Sequence, residues 1–282
     1  MIDALAGAIN QIPQNADTGY MKDGLLYCSE CQTPKQARIK IFGQEKIVYI
    51  MCECEQRKDE NERLKFKTDL TNEEVSRMLD IALPGEEMKN HTFANDNGKV
   101  PMMKKARQYA KDFAMHLKNG AGLIFYGSCG TGKSYAAEAI ANKLIRDGYP
   151  VMITKFAMIA EAASKCGYEE RSNYYSGLCK YPLLIIDDVG VEKETEYMME
   201  VINRVVDERE RSGKPLIITT NITADEMKNP KSDEWARIWS RLMKRCVPVK
   251  FEGADLRKIQ FANNMRNMQK YFDTAENDYD SK

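Results

Sequence analysis

The chain of 282 residues carries 42 basic and 42 acidic side chains, so its formal net charge is zero, and 43% of its residues are hydrophobic. This composition is typical of an ordinary soluble protein with one large domain, or one medium domain and an appendage. No apolar stretch reaches the roughly 18–20 residues that a membrane span requires. The N-terminus has no basic leader before an apolar core, so we expect no secretory signal and a cytoplasmic protein.

The neutral total hides an uneven distribution of charge. Residues 1–85 carry 11 basic and 14 acidic side chains, whereas residues 228–270 carry 11 basic and 4 acidic ones. The segment from Phe272 onward is acidic. A basic segment in a neutral protein can contact nucleic acid, but a solvated surface is the more frequent explanation, and both interpretations stay open at this point.

Eight cysteines without an export signal argue against a disulfide scaffold. Four of them form a cluster within 27 residues, namely Cys28, Cys31, Cys52 and Cys54. The other four cysteines are scattered along the chain, and we interpret each as a small, mostly packed residue. Two apolar segments within the cluster, Arg38 to Phe42 and Ile47 to Met51, predict a β-hairpin that brings the Cys-x-x-Cys and Cys-x-Cys pairs together. Four thiolates suit tetrahedral zinc, so we expect a structural Zn²⁺ in a zinc-ribbon-like module; reduced free thiols and an iron–sulfur cluster are the alternatives.

Helical segments follow the cysteine cluster. The charged run from Glu53 to Lys67 predicts a solvated helix, and Thr71-Asn-Glu-Glu74 has the form of a capping box that begins a helix through about Ala82. Pro84-Gly85 ends that helix, so we expect a domain boundary near residues 83–90. The predicted division is residues 1–85, residues 86–272 and an acidic flexible tail, residues 273–282. Apolar residues recur at helical spacing from Met103 to Leu117.

The segment from Gly127 to Ser134 is a complete G-x-x-x-x-G-K-[ST] phosphate loop, preceded by the apolar run from Gly122 to Tyr126. A buried strand, a glycine loop and a helix that begins near Lys133 are the context in which this motif binds a nucleoside triphosphate. Backbone N–H groups would surround the phosphates, Lys133 would reach the β- and γ-phosphates, and Ser134 would hold Mg²⁺. The residues expected to bind ATP are Gly127, Ser128, Cys129, Gly130, Thr131, Gly132, Lys133 and Ser134.

Two further strands end in polar residues. Leu183 to Ile186 lead into Asp187, expected to hold the Mg²⁺ hydration shell, and Asp188, expected to orient or deprotonate the attacking water. The segment from Pro215 ends at Asn221, expected to sense the γ-phosphate or to position water, with a helix cap as the alternative. Alternation of strands and helices predicts an α/β fold whose parallel sheet carries ligands at its carboxyl edge.

These motifs in this order resemble an AAA+ ATPase, and more narrowly its helicase-loader and transposition-helper branch, the DnaC/DnaI and IstB-like proteins. The resemblance runs from about Asn90 to Arg257, and its carriers are the phosphate loop, the Asp-Asp-Val-Gly190 segment, Ile217 to Asn221, and Arg237-Ile-Trp-Ser-Arg241-Leu. It implies that Arg241, or else Arg237, reaches into a neighbouring subunit's ATP, and therefore that the chain self-associates with ATP. A basic surface anchor is the alternative role for Arg241.

The sequence predicts one last helix, from about Asp255 to Tyr271, and the resemblance implies a reduced or absent C-terminal lid. Arg257 is only a weak candidate for a second sensor. The cysteine module resembles that of loaders that grip a hexameric replicative helicase and deliver it onto single-stranded DNA. Lys165 to Tyr181, with Tyr168, Arg171, Tyr174 and Tyr175, is a candidate DNA contact, and a solvated insertion is the alternative. A transposition helper that assembles on duplex DNA, and an adaptor that only binds ATP, are the other function classes.

Overall fold

The protein is described by a computed structural model that covers residues 19–41, 44–69, 72–96, 98, 100, 102–192 and 195–280. The chain forms two compact units, Met1–Phe66 and Lys67–Lys282. Each unit is described below by itself. The turn expected at residues 43–46 and the capping residue Thr71 lie partly or wholly outside the described residues.

The smaller unit contains two antiparallel hairpins and the start of a helix. Strands β1 (Gly19–Lys22) and β2 (Leu25–Cys28) pair around Asp23 and Gly24, whose φ angles are both positive, at 52° and 71°. Strands β3 (Gln36–Ile41) and β4 (Gln44–Tyr49) form the expected hairpin, and α1 (Glu53–Asp69) begins at the second cysteine pair. The first hairpin was not among the sequence predictions, and its turn residues explain it, because an Asp-Gly turn with two positive φ angles matches the right-handed twist of strands.

The larger unit is built on a sheet of five parallel strands in the order β6-β7-β8-β5-β9. Their bounds are β5 (Gly122–Tyr126), β6 (Val151–Thr154), β7 (Leu183–Val189), β8 (Leu216–Thr220) and β9 (Cys246–Lys250). The strand that precedes the phosphate loop and the strand that ends in Asp187 are therefore separated by β8. All three strands deliver their carboxyl ends to one edge of the sheet, where ligands of such folds bind.

Helices cover both faces of this sheet. They are α2 (Asn72–Ala82), α3 (Glu86–Asn90), α4 (Met103–Lys111), α5 (Phe113–Asn119), α6 (Lys133–Arg146), α7 (Phe156–Ser164), α8 (Tyr168–Leu178), α9 (Glu196–Ser212), α10 (Ala224–Lys228), α11 (Asp233–Arg245) and α12 (Leu256–Asp280). One core lies between the sheet and α2, α4 and α6, and the other between the sheet and α7, α9 and α11. Neighbouring residues of one strand, such as Leu184 and Ile185, enter opposite cores because successive side chains point to opposite faces.

The compact units divide after Phe66, earlier than the boundary near residues 83–90 that the sequence predicts. Leu79, Ala82 and Leu83 of the α2 region are 8%, 0% and 0% exposed and belong to the core that also contains Ile140 of α6. An amphipathic helix of this length is stabilised by burying its apolar face, and the face of α2 is buried in the larger unit.

Three other elements differ from the sequence predictions. The segment from Lys165 to Tyr181, expected as a DNA contact or a solvated insertion, contains the helix α8. Strand β9 was not predicted, because its segment contains Pro248, which has no N–H to donate; proline is accepted there since β9 is an edge strand. The last helix continues to Asp280 rather than ending near Tyr271, so the predicted flexible tail is helical as far as that residue. Residues 273–280 contain neither proline nor glycine, the usual signals for ending a helix.

None of the described helices combines the length and the apolar composition that crossing a lipid bilayer requires.

Candidate functional site

The phosphate loop joins β5 to α6 through a backbone that requires glycine. Gly127 has a φ of 140° and Gly130 a φ of 74°, both in the region that L-residues rarely adopt. A Cβ at Gly127 would lie 2.2 Å from the carbonyl oxygen of Phe251, and one at Gly130 would lie 1.9 Å from Oδ1 of Asp255. The loop is thus closely packed against the segment between β9 and α12, and the amide of Leu256 donates a 2.9 Å hydrogen bond to the carbonyl of Gly130.

Lys133 is the first residue of α6, and its ammonium group lies across the loop. It donates hydrogen bonds to the carbonyl oxygens of Gly127 (2.8 Å) and Ser128 (2.7 Å) and to Oδ1 of Asn221 (2.8 Å). Burial lowers the pKa of Lys133, and the nearby positive charge of Arg257 acts in the same direction. The structure therefore brings Lys133 and Asn221 into direct contact, and the charge of Arg257 is near enough to act on Lys133.

The two predicted magnesium ligands are in direct contact. The hydroxyl of Ser134 donates a 2.8 Å hydrogen bond to Oδ1 of Asp187, although the residues are 53 positions apart in the sequence. Thr219 of β8 donates a second hydrogen bond, of 2.6 Å, to the same oxygen. A hydroxyl and a carboxylate are the hard oxygen ligands that Mg²⁺ prefers, so the residues present fit that ion. Sequence reasoning missed Thr219, because its role depends on β8 lying beside β7.

Asp188 stands in a strained backbone conformation. Its φ of 59° is one of three positive values among the described non-glycine residues, and its amide donates a 2.9 Å hydrogen bond to Oγ1 of Thr219. Such strain is found at functional sites when the surrounding structure holds it in place. The side chain of Asp188 pairs with Lys155, which follows β6, at 2.5 Å from Nζ to Oδ2. Nothing in the local sequence of Lys155 marks it as a site residue.

Arg241 lies at the opposite edge of the sheet from this cluster. It lines a surface recess together with Gly120, Leu216 and Cys246, which lie at or just before the amino ends of three strands. Its guanidinium contacts Oδ1 of Asp207 at 3.1 Å, and 41% of the side chain is exposed. Because the phosphate loop is at the carboxyl ends of the strands, Arg241 does not join the nucleotide site of its own chain.

Arg237 is exposed one helical turn before Arg241 on α11. Residues four apart share one face of a helix, so both arginines face the same neighbourhood. A role for either of them at a nucleotide therefore requires a second subunit.

The candidate DNA contact in α8 is not supported by the packing. Tyr175 is only 6% exposed and belongs to the core beneath α7 and α9, with Tyr174 packed against the same core. Arg171 donates a 3.0 Å hydrogen bond to the carbonyl of Ala163. Side chains held in this way are not free to stack on bases, so we do not propose these three residues as a DNA-binding group. The side chain of Tyr168 lies outside the described residues.

The four clustered cysteines converge in the smaller unit. Their sulfur atoms all lie within 4.8 Å of one another, with 3.5 Å between Cys28 and Cys54 and 3.2 Å between Cys52 and Cys54. Zinc–sulfur bonds of about 2.3 Å place the corners of a tetrahedron about 3.8 Å apart, which is close to this arrangement. The donor set therefore fits a structural zinc ion. Strand β2 supplies Cys28, and the start of α1 supplies Cys54.

A parallel five-stranded sheet that presents a phosphate loop, an Asp-Asp pair and an asparagine at one edge defines an ATP-binding protein of the AAA+ class. Residues 95–263 match the model of the family described as IstB-like ATP binding protein. That match covers more than half of the chain, and the protein belongs to this family.

Individual relatives agree with this assignment. Over 134 residues the chain is 36% identical to the replicative helicase loader DnaC of Escherichia coli (strain K12), a match that covers 46% of this chain and 53% of that one. The matched region thus spans little more than half the length of this relative and of the DnaC of Buchnera aphidicola subsp. Schizaphis graminum. The chain is 28% identical over 202 residues to the DnaC of Buchnera aphidicola subsp. Baizongia pistaciae, covering 68% and 79% of the two chains. A crystal structure of the DnaC helicase loader superposes with a TM-score of 0.51 at 18% identity, over 60% of this chain and 100% of that chain, and so shares the fold.

Proposed function

We propose that this protein hydrolyses ATP. The observation that carries the proposal is the meeting of Lys133, Asn221, Ser134 and Asp187 at one edge of the sheet. Lys133 would bind the β- and γ-phosphates, and Ser134 and Asp187 would hold Mg²⁺, which neutralises charge on the phosphates when bound. Asp188 would orient or deprotonate the attacking water, and Asn221 would contact the γ-phosphate.

We further propose that the site is completed by a neighbouring copy of the chain. Arg241 lies far from the phosphate loop of its own chain, and Arg237 shares its helix face. An arginine supplied by a neighbour would stabilise the charge that develops during phosphoryl transfer and would make hydrolysis depend on ATP-linked assembly. The contact would be head to tail, since the phosphate loop of one chain meets the opposite edge of the next.

The biological role that fits best is the loading of a hexameric replicative helicase onto single-stranded DNA in the cytoplasm. Support comes from the 36% identity to a protein described as a replicative helicase loader, which extends over about half of each chain. The smaller unit, with its four converging cysteines, is a compact appendage that could hold the helicase. We place DNA contact on the basic segment, residues 228–270, so binding should weaken strongly with added salt.

The second candidate is an ATP-dependent DNA transposition helper, favoured by the family description IstB-like ATP binding protein. Such a protein would assemble with ATP along duplex DNA. It would need neither the cysteine module nor a helicase partner.

Co-purification of the full-length chain with the hexameric replicative helicase of its own organism, with ATP present, separates the two roles. We expect a stable complex that is lost when Cys28 and Cys31 are both changed to Ser. Cys166→Ser, outside the cluster, is the matched control and should keep the complex. Absence of a complex with the unchanged chain, together with ATP-dependent assembly on duplex DNA, would replace the loader by the transposition helper.

ATP hydrolysis itself is tested with Lys133→Ala. Hydrogen bonds to charged groups contribute about 1.5–3 kcal/mol, so the loss of this ammonium should weaken ATP binding by about 10- to 100-fold. Unchanged binding and turnover in this variant would contradict the assigned site, whatever the partner of the protein.

A further inference from the structure

The last helix, α12, carries an exposed row of large apolar side chains. Phe261, Met265, Met268 and Phe272 are 66%, 53%, 51% and 56% exposed. Every residue from Arg257 to Phe272 is exposed in the structure. Contiguous apolar surface of this kind is unusual on a protein that works alone and marks an interaction surface.

The spacing of these residues is that of a helix that pairs with another helix. They are separated by 4, 3 and 4 positions, and the sequence continues the pattern with Ala275 and Tyr279 before the helix ends at Asp280. Apolar residues that alternate at intervals of three and four form one seam along a helix, as in two-stranded coiled coils. We call the seam formed by Phe261, Met265, Met268 and Phe272 the α12 seam.

Charge divides the same helix into two halves. Residues 256–270 contain four basic and no acidic side chains, Arg257, Lys258, Arg266 and Lys270. Residues 271–280 contain four acidic and no basic ones, Asp273, Glu276, Asp278 and Asp280. A second helix of the same sequence would meet like charges along its whole length if it lay parallel. An antiparallel helix centred between Met265 and Met268 would instead bring Arg257 and Lys258 beside Asp273 and Glu276 of the other copy.

We propose that two copies of this protein associate by antiparallel pairing of their α12 helices. In this arrangement Phe261 of each copy faces Phe272 of the other, and Met265 faces Met268. The seam is closed by four apolar layers. The basic start of each helix, Arg257 and Lys258, lies beside Asp273 and Glu276 of the other copy, while residues 263–270 of the two copies lie against each other. Self-complementary charge and a self-complementary apolar pattern together favour a second copy as the occupant over a partner of another kind.

This contact is separate from the head-to-tail contact proposed for ATP hydrolysis. An antiparallel helix pair has a two-fold axis and closes after two copies, whereas a contact between the phosphate loop and Arg241 of the next chain repeats in one direction. The helix pair also uses neither the phosphate loop, residues 127–134, nor Asp187, Asp188 or Asn221. It is therefore expected without ATP, and its presence or absence is independent of the proposed hydrolysis of ATP.

Sedimentation equilibrium of the full-length chain without nucleotide tests the pairing. We expect a dimer whose dissociation constant rises with added salt, because screening weakens attraction between the charged halves. Met265→Glu with Met268→Glu would bury four carboxylates in the two central layers, so the dissociation constant should rise by about 100-fold or more. Asn263→Glu with Asn267→Glu adds the same charge outside the seam and is the matched control. A chain that stays monomeric, or a dimer unaffected by the seam variant, would overturn the proposal.

Disulfide formation tests the orientation. Positions 261 and 272 are roughly 16 Å apart along a helix, beyond the about 7 Å between Cα atoms that a disulfide allows. Antiparallel pairing therefore predicts that chains with Phe261→Cys cross-link to chains with Phe272→Cys, as identified by mass spectrometry of the joined peptides. It predicts no link between two copies of Phe261→Cys through that position. Cross-linking of Phe261→Cys to itself would contradict the antiparallel arrangement. If the unchanged chain is monomeric, and Met265→Glu with Met268→Glu abolishes helicase binding, the α12 seam contacts the helicase and the pairing proposal is wrong.

Discussion

Lys155 Nζ lies 2.5 Å from Oδ2 of Asp188 and 3.6 Å from Oδ2 of Asp187, so one ammonium group spans both acidic residues of the nucleotide site. Hydrogen bonding to Asp188 and the charge of both carboxylates raise the pKa of Lys155. Asp188 is expected to orient or deprotonate water, and an oxygen already bonded to an ammonium is less available to accept a hydrogen bond from that water. The ion pair would therefore restrain Asp188 in the proposed hydrolysis of ATP.

Changing Lys155 to Met should raise the rate of ATP hydrolysis measured in the absence of DNA and helicase. The Lys155 side chain is 47% exposed, and a pair of this kind contributes at most about 1 kcal/mol, which corresponds to an increase of about two- to fivefold. Lys165→Met, which removes the surface pair with Glu161, is the control and should leave the rate unchanged. A fall in the rate with Lys155→Met would show that Lys155 acts on the nucleotide rather than on Asp188.

Changing Arg241 to Ala should leave ATP binding within about twofold while reducing hydrolysis by about a thousandfold, the lower end of the effect of an arginine supplied in trans. Arg211→Ala is the matched control. Arg211 also contacts Asp207, at 2.7 Å, but it lies on α9. If the role of Arg241 were only to hold Asp207, both variants would have similar modest effects. Steady-state hydrolysis and equilibrium nucleotide binding on the two variants distinguish these outcomes.

Mixing two inactive variants tests whether Arg241 acts on a neighbour. A chain with Arg241→Ala keeps its own nucleotide site, and a chain with Lys133→Ala keeps its arginine. An equimolar mixture should therefore recover part of the activity that neither variant has alone. Failure to recover activity, with assembly of the mixture verified by sedimentation, would remove Arg241 from the catalytic site.

Removal of zinc should unfold the smaller unit selectively. Segments of this size lack a sufficient core and depend on their metal for folding. Purified protein should contain about one zinc ion per chain, and Cys31→Ser should lower that content together with the β-structure of the hairpins. Cys166→Ser should change neither quantity. A chain without zinc that keeps the amide protection of β3 and β4 in hydrogen exchange would contradict a structural metal.

The parts of the fold that the sequence predicts well are those in which local pattern and motif agree. Strands β5, β7 and β8 contain apolar runs; β5 leads into the phosphate loop, and β7 and β8 lead into the polar residues that the site uses. Their neighbours in the sheet could not be predicted in this way. Thr219 reaches Asp187 because β8 inserts beside β7, and Lys155 reaches Asp188 because β6 lies on the other side.

Burial is the other property that local sequence failed to give. The tyrosines of α8 look like a polar, aromatic surface in sequence, but Tyr175 is packed in the core. Arg209 of α9 reads as one of many surface charges, yet it is 2% exposed and donates hydrogen bonds to the carbonyls of Cys179, Tyr181, Pro182 and Pro215. Three of these four carbonyls lie 27 to 30 positions away along the chain, so the hydrogen bonds that allow Arg209 to be buried are not visible in the local sequence.

The last prediction concerns the dependence of stability on pH. The rings of His116 and Tyr109 stack with their centroids 4.2 Å apart. Burial lowers the pKa of His116 from 6.5 to about 4, and the charge of Asp112 opposes this only in part. The unfolded chain therefore binds a proton at a higher pH than the folded chain does. The free energy of unfolding should fall as the pH decreases from about 6.5 to about 4 and should be insensitive to this group above that range.

At about pH 5 the loss that is due to His116 should reach about 2 kcal/mol, because the unfolded histidine is almost fully protonated while the folded one is mostly neutral. Urea unfolding of the larger unit at about pH 7.5 and about pH 5 measures the change. His116→Gln, which cannot take up the proton, should reduce the difference between the two pH values by that amount. The carboxylates titrate in both proteins, so comparing the change in the free energy of unfolding between the two pH values isolates the contribution of His116. The same change in both proteins would mean that His116 is protonated in the folded protein as readily as in the unfolded chain.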